Sequence, residues 1–158
     1  LIKMQSDYLI TTGVGNHQMY AAQFIKWTKP QTMITSGSLG VMGVGLPYAI
    51  GCQIANPDVL VIDIDGDGSF HHTLAELKTI RDYGLPIKIA IMNDGHMSMV
   101  RVWEELFFDK RYTATTLPQN PDYVALAKSF GINAIKCTNS TELEHKIEIV
   151  LQIFYQMR

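Results

Sequence analysis

Two apolar runs, each breaking into a carboxylate beside glycine, constrain this chain more than any other feature. The first, residues 59–64, runs into Gly66-Asp67-Gly68, and the second, residues 87–92, runs into Asn93-Asp94-Gly95. Between them Leu74, Leu77 and Ile80 recur at helical spacing and share one face. Two buried strands joined by one helix make a βαβ unit, right-handed because only that hand packs back onto a twisted sheet. The unit carries Asp67 and Asp94 to the same edge of a parallel sheet, where open α/β folds bind their ligands. A carboxylate offers oxygen to a hard cation, and an adjacent glycine lets a phosphate come close to the main chain.

The rest of the chain extends this pattern in both directions. A strand over Tyr8–Thr12 ends in Gly13-Val14-Gly15. The following helix starts at Asn16 and buries Met19, Ala22 and, less regularly, residues 25–27, until Pro30 closes it. A strand over 32–35 leads into a glycine-rich loop over 36–45, and Pro47 suits the first turn of a helix to Ala55. Thr73 and Glu76 have the spacing of a capping box, and Gly84 with Pro86 stops the helix that follows. Val100, Trp103 and Phe107 predict a helix over 97–108, read as core on spacing alone. Residues 109–119 show no period and read as an exposed, mobile loop. Asn120 is expected to cap a helix that has Pro121 at its first position and ends at Gly131. A strand over 132–137 and a last helix follow, the latter capped by Asn139 with Glu142 and facing Ile147, Val150, Leu151 and Phe154 inward. The alternation predicts an α/β fold, a doubly wound parallel sheet with helices on both faces, as one domain over residues 1–158.

Composition narrows the function classes. A net charge of −2 gives no electrostatic case for nucleic acid or an anionic membrane as partner. No apolar run approaches the roughly 20 residues that span a bilayer, and the first residues resemble neither a signal nor a transit peptide. Cys52 and Cys137 lack metal or redox spacing and read as buried thiols.

Gly66-Asp67-Gly68, then 24 residues, then Asn93-Asp94 resembles the motif of thiamine-diphosphate enzymes, a GDG followed some two dozen residues later by two asparagines. Asp94 stands where that family has its second asparagine. The run MVRVWEELFF over residues 99–108, with GVGNHQM over 13–19, is similar to the catalytic subunits of the acetolactate synthase family. The similarity extends from about Asp7 to Gly131. It implies that Asp67, Asp94 and the main-chain carbonyl of His96 hold Mg²⁺ against the cofactor's diphosphate. It further implies diphosphate contacts from Asn16, His17, Gly66, Gly68 and Ser69. Gly40, Val41 and Met42 match the loop that grips and bends the cofactor, and Met99, Val100 and Trp103 match the wall of the substrate channel. Asp67 is expected as a solvent-facing turn carboxylate that contributes little packing.

The same resemblance implies a catalytic role that no residue of this chain fills. The activating glutamate belongs to a pyrimidine-binding domain of the same or a neighbouring subunit, in a homodimer or tetramer. FAD belongs to the full-length enzyme and is not bound by this domain alone. Family members continue into another strand after the last helix, so the chain reads as the C-terminal part of a longer one. The compartment stays open: cytoplasm in a prokaryote, plastid or mitochondrion in a eukaryote. Three other readings compete. One is another thiamine-diphosphate decarboxylase or carboligase, and one is a non-catalytic cofactor-binding or regulatory homologue, which Asp94 keeps in play. The third is a Rossmann dinucleotide domain using Gly37, Gly40 and Gly43 with Asp63 and Asp65. Its glycine spacing is G-x-x-G-x-x-G rather than G-x-G-x-x-G, and it leaves the paired acidic turns unexplained.

Overall fold

The computed structural model describes the backbone of residues 8–156 and the side chains of residues 8–152. Its centre is a parallel sheet of β1 (Tyr8–Thr12), β2 (Met33–Ile34), β3 (Leu60–Gly66) and β4 (Lys88–Met92). The strand order is β2-β1-β3-β4. The chain winds outward from β1 to β2, then returns past β1 to β3 and β4. Right-handed crossovers in opposite directions send α1 (Asn16–Phe24) and α2 (Gly45–Ala55) to opposite faces, the doubly wound architecture expected from the sequence. The reversal leaves a crevice beyond the C-terminal ends of β1 and β3, the switch point where ligands of such sheets bind.

One face of the sheet carries the main core. Leu46 and Ile50 of α2, Phe70 of α3 (Asp67–Phe70), and Leu77 and Ile80 of α4 (Leu77–Tyr83) form a buried cluster. Ile89 and Ile91 of β4 pack against it from the sheet, and Leu126 of α6 (Tyr123–Ser129) from outside. Each fully buried side chain of this size is worth about 1.5–3 kcal/mol, so this face dominates the stability. α5 (Ser98–Phe107) and α7 (Leu143–Gln156) complete the element order. Ile147, Val150 and Leu151 of α7 are half-buried as expected, whereas the side chain of Phe154 lies outside the described residues.

Several local expectations are corrected. α1 ends at Phe24, buries Ala21 and leaves Met19 exposed. The Trp27 indole folds back and donates to the Ala22 carbonyl at 3.2 Å. Thr73 and Glu76 form no capping box: the Thr73 hydroxyl donates to Gly43 O at 2.7 Å, and Glu76 accepts from the Thr79 hydroxyl. The predicted helix is therefore split by a 3-10 turn at Leu74–Glu76. Its end is as expected, with Gly84 left-handed at φ 59° and Leu85 N donating back to Ile80 O. Asp122, not Asn120, caps α6, accepting from the Val124 and Ala125 amides, which hold its carboxyl below the ordinary range. The first free amides of the helix are those of Val124 and Ala125, which Asp122 reaches, so Asn120 lies two residues outside the cap. Among the described residues, 132–137 join no strand, although Ile132 packs against the core. Cys52 is half-buried and Cys137 exposed, so neither is the fully buried thiol expected.

Two carboxylates sit within the apolar layer itself. Asp63 and Asp65 face the same way as Ile89 and Ile91, their register partners in β4, and both are fully buried. The Thr11 hydroxyl donates to Asp63 Oδ1 at 3.0 Å. The second oxygen of each carboxylate has no hydrogen-bond partner among the described residues. Burial, with the Asp65 charge beside it, pushes the Asp63 carboxyl well above its ordinary value, against the opposing Thr11 bond. A raised native value means the folded state holds a proton that the unfolded chain releases. Stability therefore falls as pH rises from the ordinary carboxyl range through the native value. Asp63→Asn removes the charge and keeps the acceptor for Thr11. Denaturant unfolding from pH 4 to pH 8 is expected to show a shallower loss of stability in the variant, with its advantage over wild type growing toward pH 8.

Candidate functional site

Asp67 is the first residue of α3, where β3 ends. It is 2% exposed, so the expected solvent-facing carboxylate is in fact enclosed. Its Oδ1 accepts from its neighbour Gly68 N at 2.8 Å. Its Oδ2 accepts from Gly95 N at 2.8 Å and from Asn120 Nδ2 at 2.5 Å. The same Asn120 amide donates to Asn93 Oδ1 at 2.8 Å. Three segments, after β3, after β4 and before α6, thus meet on one carboxylate. Its negative field also reaches Tyr123, whose hydroxyl burial and Asp67 together push up to about 12. Tyr123 stacks edge-on to Phe70, and its hydroxyl pairs with His71 Nε2 at 2.9 Å.

The turn after β1 reaches the same place. His17, in the first turn of α1, accepts from Gly66 N through Nε2 at 3.2 Å and lies 3.5 Å from Asp65 Oδ1. The Gly66 amide also donates to Asp65 Oδ1 at 2.9 Å, so the ring and that carboxylate share one donor. Gly66 gives His17 room, since a Cβ there would come 2.7 Å from the ring. Gly13 has still less space, because an added Cβ would lie 1.7 Å from Asp65 Oδ1 and 2.2 Å from Ser69 Oγ. Ser69 is 1% exposed, and its Oγ accepts from Gly43 N at 2.9 Å and Val14 N at 3.4 Å. Its oxygen therefore ties the turns after β1 and before α2 to α3, and its O–H remains a donor.

The structure places the remaining expected residues around this centre without joining all of them to it. The Asp94 carboxylate accepts from His96 N at 3.0 Å and from the Ser98 hydroxyl, which directs it to the head of α5. Among the described residues no three His, Cys, Asp or Glu side chains converge as a metal cluster. The expected set of two carboxylates and one main-chain oxygen does not require that. His96 turns its ring to the Asp94 carbonyl and pairs with Thr116 in an isolated antiparallel bridge. Asn16 is half-buried at the start of α1. Gly40 is left-handed at φ 61°, Val41 is exposed, and Met42 is half-buried. On α5 Met99 is half-buried, while Val100 and Trp103 are 52% and 56% exposed, so spacing alone misread them as core.

Residues 109–119, read from sequence as a mobile loop, are fastened to the site. Met97 N donates to Thr115 O and Leu117 N to Gly95 O, on either side of the His96–Thr116 bridge. Beneath them the buried Glu104 accepts from Thr113 N at 2.8 Å and the Thr115 hydroxyl at 2.9 Å. This arrangement delivers Asn120, which sequence reasoning took for a helix cap. No local signal separated the two, since asparagine and aspartate cap about equally well; the Asn120 amide is claimed instead by Asp67 and Asn93, distant in sequence.

A parallel sheet wound in both directions, with a buried aspartate and a glycine turn at its switch point, defines a ligand-binding α/β domain. The chain belongs to the thiamine pyrophosphate enzymes: residues 13–154 match the family described as "Thiamine pyrophosphate enzyme, C-terminal TPP binding domain". This membership makes the chain a thiamine-diphosphate-binding domain and removes the dinucleotide reading. The chain is 50% identical over 139 residues to "Acetolactate synthase, mitochondrial" of Schizosaccharomyces pombe, covering 88% of this chain and 21% of that protein. It is 49% identical over 140 residues to the mitochondrial acetolactate synthase catalytic subunit of Saccharomyces cerevisiae, covering 89% and 20%. Identity to the acetolactate synthase isozyme 2 large subunit of Escherichia coli is 45% over 146 residues, covering 92% and 27%. The chain thus spans a fifth to about a quarter of the length of these relatives. No helix among the described residues is long and apolar enough to cross a membrane.

Enclosure of Asp67 changes what its removal should do. Asp67→Ala strips the acceptor from Gly68 N, Gly95 N and Asn120 Nδ2 together. Each buried donor left unpaired costs about 1–3 kcal/mol. Chemical denaturation is expected to show a loss of that order, where a solvent-facing turn carboxylate would give almost none.

Proposed function

We propose that this chain supplies the Mg²⁺-diphosphate half of the cofactor site in an acetolactate synthase. In this reading the complete enzyme decarboxylates pyruvate and joins the remaining two-carbon unit to a second 2-keto acid, a step toward branched-chain amino acids. The observation that carries it is the enclosed Asp67 carboxylate at the β1–β3 switch point, in a chain 45–50% identical to three acetolactate synthases.

The residues present suit the group. Asp67, Asp94 and the His96 carbonyl are hard oxygen donors of the kind Mg²⁺ takes, with room in its octahedron for phosphate oxygens and water. Asn16, His17 and the main chain at Gly66, Gly68 and Ser69 surround the place for the diphosphate, and Gly40, Val41 and Met42 the middle of the cofactor. Thiamine diphosphate, when bound, supplies the electron sink that lets a 2-keto acid lose CO₂. The exposed face of α5, with Val100 and Trp103, offers an apolar wall beside Met99 for small 2-keto acids.

Asp94 enters this site at a cost. Its carboxylate already accepts from the His96 amide and the Ser98 hydroxyl, and it brings a second negative charge toward a diphosphate. Asp94→Asn keeps an acceptor and removes the repulsion. Titration with thiamine diphosphate at fixed Mg²⁺ is expected to show tighter binding by the variant and a weaker dependence on pH. Unchanged or weaker binding refutes the repulsion argument.

The division of labour between domains also has a test. Glu104 is occupied by Thr113 and Thr115, Glu76 accepts from Thr79, and Glu105 lies 3.9 Å from Lys110. None of these is directed at the crevice, so the activating glutamate is assigned to a pyrimidine-binding domain of the same or a neighbouring subunit in a homo-oligomer. FAD is assigned to the full-length enzyme. The 158-residue chain assayed alone with pyruvate, thiamine diphosphate, Mg²⁺ and FAD is expected to form no acetolactate. The full-length protein is expected to form it, and an enzyme-like rate from the chain alone would overturn the assignment.

A further inference from the structure

We infer that Asn120 is a positioning residue for the cation site, setting the orientation of Asp67 before any metal arrives. The inference rests on the reading of Asp67 as a cation ligand and goes beyond it. Both protons of the Asn120 amide are engaged by residues of the two acidic turns. One goes to Asp67 Oδ2 at 2.5 Å and the other to Asn93 Oδ1 at 2.8 Å. With Gly95 N on the same oxygen and Gly68 N on the other, the carboxylate is held by three donors. A carboxylate so held has one rotamer, and its remaining lone pairs have fixed directions before a ligand binds.

Asn120 is itself held from both sides. Upstream, Leu117 N bonds to Gly95 O at 2.7 Å and Thr116 bridges to His96. Downstream, Pro121 fixes the chain direction and Asp122 caps α6 through Val124 and Ala125. The amide is thus delivered by main-chain anchors that do not depend on Asp67. This separates two roles: fastening the loop, which the bridge and Glu104 already do, and orienting the carboxylate, to which the Asn120 side chain adds its amide beside Gly68 N and Gly95 N.

The experiment uses Mn²⁺ as the spectroscopic stand-in for Mg²⁺ in the full-length protein. Mn²⁺ affinity is read by electron paramagnetic resonance at saturating thiamine diphosphate, alongside thermal unfolding of the same samples. Asn120→Ala is expected to weaken Mn²⁺ binding about tenfold, the scale seen when the hydrogen-bond partner of a metal ligand is removed. Thr115→Val, which loosens the same loop at Glu104 without touching Asp67, is expected to lower the melting temperature and leave Mn²⁺ affinity unchanged. Where the alanine variant does not fold, Asn120→Ser replaces it, with the same weakening expected because a hydroxyl cannot donate to both partners. Mn²⁺ affinity in the Asn120 variants equal to wild type, or falling equally in Thr115→Val, overturns the inference while leaving the cofactor reading standing. Failure of wild type to bind Mn²⁺ with thiamine diphosphate overturns both.

Discussion

The Asp67 carboxylate is the knot on which the functional edge of this sheet is tied. Three backbone or amide donors from three separate segments converge on its two oxygens. Each segment leaves a different part of the fold, and beyond the strand ends the last two are joined on the main chain by the short His96–Thr116 bridge and its flanking bonds. In a low-dielectric setting a charged acceptor of this kind forms its strongest hydrogen bonds, and each donor would be costly to leave bare. The loops are consequently held in one arrangement by the same group that the proposed function assigns to the metal.

Around that knot the molecule uses small and polar residues to bring main chain close to main chain. Gly13 and Gly66 leave space that Asp65, Ser69 and His17 fill. Ser69 Oγ then accepts from two amides, Val14 N and Gly43 N. The Asp63–Asp65 pair is fully buried further back on the strand that presents Asp67. The core cluster of Leu46, Phe70, Leu77 and Ile80 lies directly beneath and supplies the apolar burial that holds the strand in place.

Much of the fold was legible because its signals are local or periodic. The apolar runs and the Gly84 stop marked β3, α4 and β4 correctly, and the acidic turns fall where those strands end. The family match followed from motifs with fixed spacing. What was not legible depends on partners far away in sequence. Asn120 looked like a cap until Asp122 was seen to hold the Val124 and Ala125 amides. Thr73 looked like a cap until Gly43, thirty residues upstream, claimed its hydroxyl. Residues 109–119 carried no period because their order comes from Glu104 and a single bridge to His96, not from an element of their own. Val100 and Trp103 have core spacing, yet helical periodicity reports only that a face is apolar, not what covers it.

The span of the bonds that build the site has a kinetic consequence. The Asn120–Asp67 bond joins residues 53 apart in the chain, Val14–Ser69 joins residues 55 apart, and Gly95–Asp67 joins residues 28 apart. Contacts of such separation must close large loops of chain before they return any energy, which places them late in folding. A partly folded intermediate can hold the β3–α4–β4 core and still lack a cofactor crevice. A ligand that binds only the finished arrangement stabilises that arrangement alone.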